Sequence, residues 1–198
     1  MDSVSKKRVQ QNNLTSTIDV YYATRYNEQN DTDKEDYVMD RVENKTLESI
    51  GAFSVEWAVF EQVLFGKECK MAAIVKDISH EPIENDELLK ASWQFFDALL
   101  RFAGERDKVL PSLKFRTSEA EREANAAVAK WVYGDNVTYL ALIAAIFRIR
   151  CNMFHGEKMV WMLDRQQEIF DTASEVLDKC IEMRDQLPMV CEQADLNR

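Results

Sequence analysis

The sequence predicts an all-α protein, a helical bundle of about six or seven helices. Five glycines and three prolines in 198 residues leave room for few tight turns. Apolar residues recur at three- and four-residue steps in one segment after another, and no period-two strand segment or internal repeat stands out. An apolar fraction of 46% in a chain of this length is enough to bury a core within one domain, or one domain with an appendage.

Residues 1 to 15 are polar and basic and read as a flexible arm. Ile18, Tyr21, Tyr22 and Tyr26 fall on related faces of a helix from about Ser16 to Asn27, which places residues 16 to 49 as a helical segment packing on or extending the bundle. Glu28 to Lys34 is an acidic loop, with Asn30 and Asp31 suited to cap the next helix. A helical pattern then runs from Glu35 to Phe65, broken near Asn44 and Lys45, with Phe53, Trp57, Phe60 and Leu64 as its buried stripe and Gly66 as its stop. Lys67 to Ile78 makes a short helix. Ser79 to Asn85 is a loop, because Pro82 opposes regular pairing.

Asp86 is expected to cap an amphipathic helix to Phe102 carrying Leu89, Trp93, Phe96, Leu99 and Leu100, stopped by Gly104. Glu105 to Thr117, with Pro111, reads as a charged connector. Ser118 and Glu121 form a capping-box pattern that opens an alanine-rich helix to Tyr133, ended by Gly134. Asp135 is the expected cap of the next helix, whose apolar run extends from Val137 to Phe147. A last long helix, from about Lys158 to Gln186, turns Trp161, Ile169, Ala173, Val176, Cys180 and Met183 inward. Pro188 begins a C-terminal tail, residues 188 to 198.

The net charge of −10 opposes a polyanionic partner, so its distribution matters. Arg101 to Arg165 holds 11 Lys and Arg against 8 Asp and Glu, a local +3, which leaves −13 for the rest. Such a basic middle permits an RNA site with strong salt dependence. No signal-peptide pattern is present, and no apolar run approaches the roughly 20 residues a membrane helix needs. A cytoplasmic location without membrane attachment is the expectation. Cys69, Cys151, Cys180 and Cys191 lack metal-ligand spacing and read as reduced structural thiols, and no metal or other cofactor is implied.

Glycine-rich phosphate loops, GxSxG, HExxH and CxxC are all missing from the sequence. Glu119, Glu121 and Glu123, like Asp33, Glu35 and Asp36, sit where solvated helix starts are expected, and His80 reads as a surface residue. The chemistry concentrates instead in Arg148-Ile149-Arg150-Cys151-Asn152-Met153-Phe154-His155-Gly156-Glu157-Lys158. RNA cleavage by a neighbouring 2′-hydroxyl needs a proton acceptor, a proton donor for the leaving 5′-oxygen and a cation for the five-coordinate phosphorus. Histidine suits the first two tasks and arginine the third. Since His155 is the one histidine near arginines, acid and base together require two copies in one cleft, hence a homodimer. At about 100° per residue Arg148, Asn152 and His155 share a helix face, whereas Arg150 points about 140° away from His155. Both arginines remain candidates for the phosphate.

Arg150 and His155, with four residues between them, match the signature of HEPN domains, an arginine followed after four to six residues by histidine. The continuation His155-Gly156-Glu157-Lys158, then Asp164-Arg165 and a long helix, resembles the RNNLFHGxK form of bacterial HEPN proteins. Trp57-Ala58-Val59-Phe60-Glu61 looks like the aromatic-acidic helix of that group. The resemblance covers roughly residues 50 to 187 and implies a HEPN-like helical domain. It also implies a homodimeric, metal-independent endoribonuclease with RNA as substrate, serving as a toxin or in phage defence, with a protein antitoxin or defence-system partner. Carried over, Arg150 and His155 are the catalytic pair with Asn152 in support. Arg148 and Lys158 are substrate-binding candidates, and Glu61 and Glu157 possible supports. Many active members have a polar residue where this chain has Cys151. Members silenced by nucleotidylation have a tyrosine where it has Glu157, which argues against an antitoxin of that kind.

Two other function classes fit the same residues. One is an inactive HEPN-like binding module that senses a nucleotide or pairs with another protein. The other is an antitoxin or adaptor that uses the acidic surface to occupy a basic partner. In either, Arg148 and Arg150 answer the helix dipole and His155 caps the last carbonyls.

Overall fold

A computed structural model describes residues 42–66, 69–134, 136–154, 163 and 165–189. The chain divides into two compact units, Met1–Met39 and Asp40–Arg198, and every described residue belongs to the second. The expectations for residues 1 to 41, for Asp135 as a cap, for Trp161 and for Cys191 lie outside the described residues.

Among the described residues seven α-helices succeed one another: α1 (Asn44–Phe65), α2 (Met71–Asp77), α3 (Asp86–Ala103), α4 (Val109–Leu113), α5 (Glu119–Tyr133), α6 (Tyr139–Phe154) and α7 (Gln167–Glu182). The same residues hold no strand, only the isolated bridges Ile78 to Met189 and Pro82 to Thr138. The all-α reading therefore holds. Among the described residues no helix is long and apolar enough to cross a membrane.

α6 is the central helix. Leu140, Ala141, Leu142, Ile143, Ala144, Ala145 and Ile146 are all buried in succession, so the helix is enclosed on every side, as its unbroken apolar run requires. α5 packs along α6, and α2 lies against both. α7 joins the other half by packing on α1 and α3, where Phe53 and Phe170 meet with ring centroids 5.7 Å apart. The aromatic stripe of α1 is buried as its spacing predicts: Phe53, Trp57 and Phe60 face inward and Trp57 touches Phe147 of α6. On α7 the inward row is Ile169, Ala173, Val176 and Cys180.

α1 begins where the sequence suggests a break and continues without interruption across residues 49 and 50. Gly66 closes it at φ 63°, in the left-handed region where a residue without Cβ carries no strain, and donates its N–H to Gln62. Gly51, in the middle of the helix, has nothing within 4 Å of where a Cβ would sit. Gly51→Ala should therefore stabilise the protomer by about 0.5–1 kcal/mol through helix propensity, seen as a rise in thermal midpoint in dilute solution. An unchanged or lower midpoint would contradict this placement.

Several boundaries differ from the sequence reading, among them those of α7, which runs Gln167–Glu182 where a helix from about Lys158 to Gln186 is expected. Asn85, not Asp86, caps α3: its side chain accepts from the Leu88 N–H at 2.9 Å, and Asp86 is the first helical residue. The connector after Gly104 is a 3-10 turn (Arg106–Lys108) followed by α4, in which Pro111 sits in the first turn, where its missing N–H leaves no bond unmade. α6 starts at Tyr139, with the Thr138 hydroxyl accepting from Ala141 N–H. Val137 lies before the helix, and its carbonyl accepts from Ile83 N–H, so the Pro82 loop is tied to the entry of α6 through Pro82's neighbours. Met189 of the tail bridges Ile78, and the Pro188 carbonyl accepts from Ser79 N–H, which anchors the start of the tail.

Candidate active site

The site region is the last turn and a half of α6 together with the groups it touches. Arg148 lies on the helix face that runs Ala141, Ala145, Arg148, Asn152, all of it buried. A guanidinium there needs a full set of acceptors, because an unpaired charge cannot be desolvated cheaply. It has them. Nη1 donates to Glu121 Oε1 at 3.2 Å, Nε to the Leu113 carbonyl at 3.1 Å, and Nη2 to the Lys114 carbonyl at 2.6 Å and to Asn152 Oδ1 at 3.2 Å. The Phe115 ring lies under the guanidinium, 5.9 Å from its centroid.

Asn152 completes the arrangement from one turn on. Its amide donates to the Leu113 carbonyl at 2.9 Å and to Ser112 at 3.4 Å, while its oxygen receives Arg148. Glu121 uses its second oxygen to accept from Arg116 N–H at 3.3 Å. The hub thus pins the C-terminal carbonyls of α4 to α6 and α5. Those carbonyls are the groups a helix end leaves without partners. Lys114, next in the chain, is held in the left-handed region at φ 51°, a conformation costly for a residue with a Cβ and maintained here by the bond from Arg148 to its carbonyl.

The shared face of Arg148 and Asn152 is thus real, but it points inward, with 3% and 6% exposure, and its polar atoms are taken by the protein. A phosphate could reach Arg148 only by displacing α4. Glu121 is likewise not a solvated helix-start carboxylate. It is 5% exposed, and while Ser118 caps α5 by accepting from Glu121 N–H at 3.4 Å, the Glu121 side chain turns to Arg148 and the Arg116 backbone rather than back to Ser118. Glu121 is the functional partner that sequence reasoning missed. The signal was an arginine on an otherwise apolar helix face, which requires a buried acid somewhere in the chain.

Arg150 occupies another face of α6 and is half-buried. Its charge acts on the Cys151 and Cys69 thiols. Burial pushes the Cys151 thiol above its usual pKa, with the Arg148 and Arg150 charges pulling the other way. Cys69 is pushed up to about 12, first by burial, then by Glu61 and Asp77, against the opposing pull of Arg150. Glu61 accepts from Cys69 N–H at 2.9 Å. Arg150 and Glu61, singled out from stretches far apart in the sequence, therefore both act on Cys69. Both thiols stay protonated at neutral pH, as structural cysteines do.

His155, Glu157 and Lys158 lie outside the described residues. His80 is exposed, its Nε2 3.8 Å from Glu123 and 3.4 Å from the Val75 carbonyl, in keeping with a surface residue. No known family model, no curated protein and no solved structure matches this chain.

Proposed function

We propose that the chain is a metal-independent endoribonuclease of HEPN type, used as a toxin or phage-defence effector, with Arg150 and His155 as its reacting pair in a site shared by two copies. The observation that carries this reading is the Arg150-to-His155 spacing at the end of a helix whose other arginine is already committed to the core. Arg148, Asn152 and Glu121 fix the helix. Arg150 lies on a different, half-buried face of the helix, where its charge, like that of Glu61, acts on Cys69.

The chemistry balances without an added reagent. One neutral imidazole takes the 2′-hydroxyl proton as the O2′–P bond forms, and the P–O5′ bond breaks. A protonated imidazole from the second copy then gives its proton to O5′. The products are a 2′,3′-cyclic phosphate and a 5′-hydroxyl. Arg150 meets the added charge on the equatorial oxygens.

The test is incubation of purified protein with RNA in EDTA and analysis of product ends. Cyclic phosphate and 5′-hydroxyl termini are expected. Intact RNA, or 3′-hydroxyl and 5′-phosphate ends, would overturn the mechanism.

One observation favours a second reading, a HEPN-like binding module without cleavage. Cys151, rather than a polar residue, follows Arg150, and its thiol lies within reach of that guanidinium's charge. Such a module would bind a nucleotide or partner protein and leave RNA whole in the same assay.

A further inference from the structure

With Arg148 enclosed in the core, an RNA strand brought to the end of α6 needs other cations along its path. In a chain of net charge −10, stretches that carry cations and no carboxylate are few. Two of them are Lys108 to Ser118, with three cations in eleven residues, and Asn136 to Phe154, with Arg148 and Arg150. The fold joins these two. Arg148 and Asn152 bond the carbonyls of Ser112, Leu113 and Lys114, which brings the first stretch alongside the last two turns of α6.

Within Lys108 to Ser118 the apolar residues face in and the charged ones face out. Val109 and Leu113 are buried, whereas Lys108, Lys114 and Arg116 are exposed. α4 sets Lys108 about 9 Å along its axis from Lys114, and Arg116 follows within about 7 Å. The backbone beneath them is tied from inside: Arg148 holds the Lys114 carbonyl, with Lys114 at φ 51°, and Glu121 accepts from the Arg116 N–H. Phe115, half-buried between the two cations, has the Arg148 guanidinium over its ring.

We propose that Lys108, Lys114 and Arg116 form a docking strip for the phosphate backbone of single-stranded RNA, leading the strand to the end of α6. The choice of RNA rests on the nuclease reading of Arg150 and His155, while the strip itself rests on charge, exposure and the bonds to α6. Exposed cations on either side of an aromatic ring are the combination that single-strand binders use, whereas an acidic polypeptide has no base to stack. Carboxylates stand at both ends of the strip. Glu119 follows it, and Glu105 pairs with Lys108 at 3.1 Å, the two side chains 63% and 60% exposed. An exposed pair of this kind holds weakly and can exchange its carboxylate for a phosphate.

Titration of a fluorescent single-stranded RNA oligonucleotide, followed by anisotropy, tests the strip, with His155→Ala protein so that the strand stays whole. Lys114→Gln with Arg116→Gln should weaken binding by about tenfold at low salt and lower the slope of log affinity against log salt by about 1.4, the share of two phosphate contacts. Lys108→Gln alone, away from the Arg148 bonds, should lower the slope by about 0.7. Helical circular dichroism should stay at the parent value in both. Lys45→Gln with Lys130→Gln, exposed lysines of α1 and α5, should change neither affinity nor slope.

Unchanged affinity and slope in the Lys114 and Arg116 variant overturn the proposal. So does an equal loss in the Lys45 and Lys130 variant, since any surface cation would then serve. Polyglutamate captured through the strip in place of RNA gives the surface to an acidic polypeptide and overturns it too. The nuclease reading fails separately. Wild-type protein that binds RNA through the strip yet leaves it whole in EDTA keeps the strip and loses the reaction, and cleavage that the strip variant leaves untouched does the reverse.

Discussion

Arg148→Ala should cost about 3–5 kcal/mol of folding stability, the range for removing one partner of a buried ion pair. The loss has three sources in the structure. Glu121, 5% exposed, is left as an uncompensated carboxylate. The Lys114 carbonyl loses the donor from Arg148, and the Leu113 carbonyl keeps only the one from Asn152. The removed side chain leaves a void between three helices. Against a total stability of about 5–15 kcal/mol for a domain, this takes a large share of the margin. Urea unfolding followed by circular dichroism reads it directly.

Glu121→Ala should fall in the same range, since it strands the guanidinium in turn. Replacing both partners together, Arg148→Met with Glu121→Leu, should recover part of the loss, because two apolar groups of similar volume leave no buried charge. A midpoint for Arg148→Ala within about 0.5 kcal/mol of wild type, as for an ordinary surface change, would show that the hub does not hold the fold.

Arg150→Ala should do the opposite, lowering RNA cleavage by about 10²–10³-fold, as loss of one transition-state donor does, with little change in stability. The contrast comes from where the two side chains lie. Arg148 is 3% exposed on a face that looks into the core, whereas Arg150 is half-buried on another face of α6. Single-turnover cleavage beside thermal unfolding separates the two effects. Full cleavage by Arg150→Ala would remove it from the site, and a large loss of stability would make it a second structural arginine.

Much of the fold is legible in the sequence because its signals are local. Ser118 and Gly66 mark helix ends through backbone groups a few residues away, and the Phe53, Trp57 and Phe60 row comes from the helical period alone. α4 is hidden by Pro111, which reads as a breaker unless it falls in a first turn. The start of α6 differs from the sequence reading because the hydroxyl of Thr138 serves as well as a carboxylate. Helical periodicity groups Arg148 with Asn152 correctly. It has no means of saying whether a shared face looks into a cleft or into the core. That depends on Glu121 and on the α4 carbonyls, 27 to 40 residues away in sequence. The influence of both Glu61 and Arg150 on Cys69 likewise comes from tertiary packing, with no counterpart in local pattern.

The most direct measurement of the central claim is expression of the wild type and His155→Ala side by side in growing cells, scoring growth and RNA integrity at matched protein levels. The account predicts growth arrest with fragmented RNA for the wild type, and normal growth with intact RNA for a folded His155→Ala protein. Identical behaviour of the two forms would contradict it.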